Sequence, residues 1–295
     1  MEAAPENAAS RGLLARSPST ALVIGGIASV QFGAALATTL FDRAGPAGTA
    51  LLRLAFGSLV LLAVWRPRIS GRTRAELELA ALFGLVLAAM NLSFYAAIDR
   101  IPLGIAVALE FVGPLTVALA GSRRRQDLLW VALAAGGIVA LTRGGGSGLD
   151  ALGVALALFA GVLWGTYIVL NARLGRAFEG GTGLALAMCV GTLAIAPIGI
   201  VEGAGELLSA EALALGAAVG VLSSAIPYSF EVEALRRIRP AVFGVLMSLE
   251  PAVAALAGLV VLGQRLEGRE LVGIALVIVA SVGAARTGRE ATVTL

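Results

Sequence analysis

The chain has 295 residues, 58% of them hydrophobic and only 14% charged, with a mean hydropathy of +0.92. Soluble domains carry about 25% charged residues, so this composition belongs to the membrane class and excludes an ordinary water-soluble domain. The formal net charge is +3; all 22 basic residues are Arg, and there is no His, which removes Ser-His and Cys-His nucleophile pairs and every His-based metal site.

Along the chain, residues 1–19 read as a polar cytoplasmic tail. The apolar run that follows reads as a retained span rather than a cleaved signal. A helix needs about 20 apolar residues to cross the hydrocarbon core. Ten runs fit that need with loose edges: 20–40, 47–65, 77–97, 101–121, 128–142, 149–170, 182–201, 207–229, 240–263 and 269–285. The fifth and tenth are short. Gln31 lies in the first span, Arg53 in the second, and Asn91 and Tyr95 in the third. The fourth holds IAVALEFVGP (105–114), with Glu110 and Pro114. GGGSG (144–148) reads as a flexible turn at the midpoint. Trp164 and Tyr167 lie in the sixth span, and the lone Cys189 in the seventh reads as a small buried hydrophobe. Pro227 and Tyr228 belong to the eighth span, Glu250 and Pro251 to the ninth, and 286–295 forms a second cytoplasmic tail.

The Arg residues sit in short clusters between spans, which is a topology signal and not a nucleic-acid surface. With the N-terminus placed in the cytoplasm, sixteen Arg fall on the cytoplasmic side and five on the other. That bias predicts both termini inside.

A repeat underlies the spans. PLTVALAG (114–121) and PAVAALAG (251–258) agree at five of eight positions with an offset of 137 residues, and the same offset aligns Arg100-Ile101 with Arg237-Ile238. Small residues recur every four positions in span 1 (Gly25, Ser29, Gly33, Ala37) and in span 6 (Gly153, Ala157, Gly161, Gly165). Such stripes let helix backbones approach closely in lipid. Five spans per half is an odd number, so the second half enters the membrane from the opposite side. The fold class predicted is an all-α integral membrane protein of ten transmembrane helices, in two inverted five-helix repeats at 20–142 and 149–285. That is the architecture of secondary transporters, with the substrate site near the midplane.

Three ionisable groups lie well inside the expected spans: Glu110, Glu250 and Arg53. Each costs about 2.5–3.5 kcal/mol at a span centre on insertion scales, so each needs a cavity or a partner. Proline has no N–H, so Pro114 leaves the carbonyl of Glu110 without its helical donor, and Pro251 does the same for Met247. A carboxylate beside a free carbonyl suits an ammonium group or a proton. A structural ion pair between Glu110 and Arg53 is the alternative; Arg53 could also neutralise a substrate carboxylate or snorkel outward. Glu250 fits a structural or a functional role equally. Gln31, Asn91, Tyr95, Trp164, Tyr167 and Tyr228 are candidate lining residues for a cavity between spans 1, 3, 4, 6, 8 and 9. Spans 5, 7 and 10 are nearly bare of polar groups.

The segment MNLSFYAAIDRIPLGIAVALEFVGPLTVAL (90–119) resembles the bacterial threonine/homoserine exporters, EamA-type members of the drug/metabolite transporter superfamily. ALLRLAFGSLVLL (50–62), AIPYSFEVEALRRI (225–238) and FGVLMSLEPAVAALAG (243–258) are similar to the same family. The resemblance covers roughly 20–285. It implies a multi-pass carrier of the bacterial inner membrane, exporting small amino acids and driven by protons. It implies no cofactor and no metal. The partners expected are a small amino acid, protons and the lipid bilayer, and the oligomeric state is left open. Spans 3–4 and 8–9, with Pro114, Pro227 and Pro251, are the expected moving parts of an alternating-access cycle. A carrier of another metabolite or drug-like solute is the alternative; a membrane enzyme or a passive channel fits the residues less well.

Overall fold

The computed structural model describes residues 18–120, 125–142, 149–235, 237–238 and 240–287. Among them the regular elements are all helical. They form ten rods in chain order: α1 (Ser19–Thr38), α2 (Phe41–Trp65), α3 (Arg74–Ile98), α4 (Leu103–Ala120), α5 (Arg125–Thr142), α6 (Ala151–Ala177), α7 (Thr182–Gly203), α8 (210–235), α9 (240–262) and α10 (Gly268–Thr287). Eight contain stretches long and apolar enough to cross a membrane; Leu128–Thr142 in α5 and Ala210–Ser224 in α8 are shorter apolar segments. The expected tails, apart from 18–19 and 286–287, and the GGGSG turn lie outside the described residues.

Side chains close the helix starts where the backbone cannot. Thr73 and Glu76 form a capping box at α3, in which the Glu76 carboxylate accepts the Thr73 N–H at 2.8 Å. Asp150 accepts the Gly153 N–H at 2.9 Å at the start of α6. In α2 the cap comes from another helix. Gly45 takes φ +67° ahead of Pro46, bending the helix, and the Glu202 carboxylate of α7 accepts the Ala47 N–H at 3.1 Å. The expected start at residue 47 corresponds to this bend, and one further turn precedes it.

Three rods are interrupted. α4 consists of Leu103–Glu110 and Val112–Ala120, with the break at Phe111, and α9 of Pro240–Met247 and Glu250–Leu262. Each break lies just before a proline whose missing N–H leaves a carbonyl one turn back without its donor. α8 contains a π turn at Val221–Ala225, where the Ile226 N–H reaches the Val221 carbonyl. Pro227 follows directly. The Ser29 hydroxyl of α1 donates to the Leu222 carbonyl at 2.6 Å, satisfying an acceptor that the widened turn exposes.

Packing pairs the first helices of each half with the third and fourth of the other: α1 lies on α8 and α9, and α6 on α3 and α4. α2 packs on α7, and α5 on α10. Glycines permit these contacts. A Cβ on Gly33 would meet the Ser223 hydroxyl at 2.6 Å, and one on Gly161 would meet the Glu110 carbonyl at 2.7 Å. The outer surface carries Ile24, Leu59, Leu85, Val162, Leu193 and Val260, each about half exposed or more. Water would penalise such a belt, and a lipid solvent would not.

Candidate functional site

The two halves of α4 have different neighbours. Both halves pack on α6 and α10, but the first half also packs against the second half of α9. The first half of α9 packs on α1 and α10 without a comparable contact to α4. The two broken helices therefore meet at the end of the bundle away from the N-terminus and part toward the N-terminal end. At the closed end the Leu103 N–H donates to Gln264 Oε1 at 3.0 Å, and Gly104 lies against Ala255.

Where the helices part there is a cavity of about 550 Å³. It reaches along α4 from Val107 to Ala118, on the order of 16 Å at 1.5 Å per residue. Glu110 stands on its wall, 8% exposed, with its backbone against Gly161 of α6. The carbonyl of Glu110, expected to share a polar spot with the carboxylate, is instead packed on that glycine. A glycine backbone fits where the helical donor is missing.

Arg53 of α2 lines the same cavity and does not snorkel to the surface. Its guanidinium is held from behind. Nη1 donates to the Tyr95 hydroxyl at 3.4 Å, and Cζ lies 5.6 Å from the centre of the Tyr95 ring. Arg53 is within electrostatic reach of Glu110, yet among the described residues the two form no ion pair. A carboxyl group and a guanidinium thus line one cavity without bonding to each other.

Of the other residues singled out in the sequence, Gln31, Asn91, Trp164, Tyr167 and Glu250 line the cavity, with Pro114 and Pro227. The Trp164 ring meets Phe111 edge-on, 5.3 Å between centres, at the break in α4. Tyr95 does not line it. It is fully buried, and its hydroxyl and ring are used on Arg53. Pro251 is buried outside the lining. Tyr228 sits in α8, but its side chain lies outside those described. α10, expected to be nearly bare of polar groups, brings Ser281 to the cavity, and α7 brings the apolar Met188.

Sequence reading missed Glu231. It falls beyond the expected end of span 8 at 229, in a charged stretch that reads as an interfacial flank. α8 runs on to Leu235, and Glu231 lines the cavity. Its spacing was the available signal: Ser223, Pro227 and Glu231 follow one another at four-residue steps on one helix face. Glu250 is close enough to interact electrostatically with Glu231 and with Glu110, and all three line the cavity together with Arg53.

The sequence and the architecture are similar to those of known proteins. Residues 151–286 match the EamA-like transporter family. The threonine/homoserine exporter RhtA of Salmonella typhimurium (strain LT2) is 44% identical over 269 residues, covering 90% of each chain. RhtA of Escherichia coli (strain K12) is 43% identical over the same length and shares of both chains. A protein of known crystal structure, 22% identical, superposes with a TM-score of 0.59 over 91% of this chain and 97% of that one; it shares the fold. These relatives are exporters rather than enzymes. A multi-pass helical membrane protein at this identity over nearly its whole length has one placement: the chain belongs to the EamA-like transporter family.

Proposed function

We propose that this protein exports small amino acids of the threonine and homoserine type across the bacterial inner membrane, with both termini in the cytoplasm, in exchange for protons. The observation that carries this reading is that Arg53 and Glu110 line one cavity and, among the described residues, form no ion pair with each other. In the proposed pose Arg53 receives the substrate carboxylate, for which its planar fork is suited. Glu110 receives the ammonium group and takes up a proton once the amino acid has left. The names of the relatives support the substrate class, and the cytoplasmic Arg bias supports the orientation.

The halves, 20–142 and 149–285, act as two inverted five-helix repeats that rock about the cavity. Two observations support this. The helical segments that end at Glu110 and Met247 are separated by the same 137 residues as the sequence repeat. The packing of α1 on α8 is echoed by that of α6 on α3. With the N-terminus inside, a cavity that widens toward the N-terminal end corresponds to the state that loads from the cytoplasm. Closing α4 on α9 at that end, and parting them at the other, would release the amino acid outside.

The test is counterflow of labelled threonine by the purified protein in vesicles, with and without a pH gradient. Glu110→Gln keeps the shape and removes the charge. It is expected to slow counterflow at least about tenfold, the scale of one lost charge-assisted hydrogen bond, and to abolish stimulation by the gradient. A wild-type rate with an unchanged response to pH would sink the role given to Glu110.

A further inference from the structure

Two buried carboxamides in this cavity have no structural task that explains them. Gln31 on α1 and Asn91 on α3 are each 3% exposed and line the space shared by Arg53 and Glu110. Gln31 Oε1 is enclosed and accepts no hydrogen bond among the described residues. Asn91 donates from Nδ2 to the Leu87 carbonyl, one turn back in its own helix, at 2.8 Å. That bond orients the group and leaves its oxygen as an acceptor. Among the described residues neither amide bonds to a neighbouring helix, so neither serves as the polar glue that such side chains commonly provide in lipid. A buried acceptor without a donor is costly, and a ligand that brings a donor removes the cost.

We infer that Gln31 and Asn91 read the side-chain hydroxyl of the transported amino acid and make the cavity selective for small hydroxy amino acids over apolar ones of the same shape. This rests on the amino-acid reading of Arg53 and Glu110. Those two charges hold the carboxylate and ammonium groups that every amino acid shares, so they cannot tell one side chain from another. The oxygens of Gln31 and Asn91 can, because either accepts a hydrogen bond from the single O–H that threonine and homoserine offer and valine does not. Valine replaces the threonine hydroxyl with a methyl group, and its binding leaves the buried Gln31 Oε1 without a donor. Sites built this way reject the analogue lacking the donor more strongly than a shape-matched apolar pocket rejects an added group.

The experiment is counterflow with the full chain in vesicles, comparing threonine and homoserine with valine and 2-aminobutyrate. The last is smaller than threonine by the hydroxyl alone, so it fits wherever threonine fits. The wild type is expected to favour threonine over both analogues at least about tenfold. In Gln31→Leu and in Asn91→Leu the threonine-to-valine ratio is expected to fall about tenfold, the scale of one lost hydrogen bond. The wild-type comparison stands if either variant fails to fold. If the wild type carries threonine but moves 2-aminobutyrate and valine equally well, hydroxyl reading is overturned while the amino-acid reading survives. Folded variants with unchanged ratios overturn it in the same way. If the wild type moves no amino acid at all, both readings fall together.

Discussion

Tyr95 shows how one residue can bear on the cavity without lining it. Its hydroxyl and ring both bear on Arg53, so it is a positioning residue for that guanidinium. Tyr95→Phe removes a long hydrogen bond but keeps the ring, and the expected result is a rise of about threefold in the threonine KM with kcat nearly unchanged. Arg53→Lys keeps the charge but loses the planar two-pronged donor, and the expected loss in kcat/KM is at least about tenfold. Kinetics of the two variants in vesicles check both; equal effects would show that Tyr95 does more than hold Arg53. At this scale much of the site was legible in the sequence. Glu110 and Arg53 stood out because a charge is costly in an apolar span. Glu231 did not, because a carboxylate near the end of a span looks like one that reaches water.

At the scale of the element, the break in α4 and the glycine face of α6 belong together. Pro114 removes the donor that the Glu110 carbonyl would have had, and Gly161 lets the α6 backbone cover that carbonyl. Gly165 continues the contact beside Gly113. A larger side chain has nowhere to go. Gly161→Leu is expected to force α6 from α4, lowering stability by about 1–3 kcal/mol and displacing Glu110. The measurement is the thermal midpoint of the solubilised protein together with threonine counterflow; an unchanged midpoint would refute the close packing. The four-residue stripe on α6 was visible in the sequence, but its partner was not, because any small stripe can face any helix.

At the scale of the molecule, the proposed cycle requires the far end to open. A Cβ on Gly258 would lie 3.6 Å from that of Leu103, within the disulfide range of about 3.5–4.5 Å. The pair Leu103→Cys and Gly258→Cys, with Cys189→Ser to remove the native thiol, is expected to cross-link α4 to α9 on oxidation. Counterflow should then fall at least about tenfold and return on reduction. Full transport by the cross-linked protein would exclude opening between these two helices.

Several features followed from sequence alone: the membrane class, ten apolar helices, the prolines at which three of them are interrupted, and most of the charged or amide residues on the cavity. They follow because lipid imposes simple local rules: backbone groups must be satisfied within the helix, prolines break that pattern where they fall, and buried charge is rare. Tertiary structure alone decided which helices meet. It assigned Tyr95 to Arg53, turned the Glu110 carbonyl onto Gly161, brought Glu202 across to cap the bend in α2, and left Gln31 without a donor. Those outcomes depend on distances between residues far apart in the chain, and no local pattern of hydrophobicity contains them.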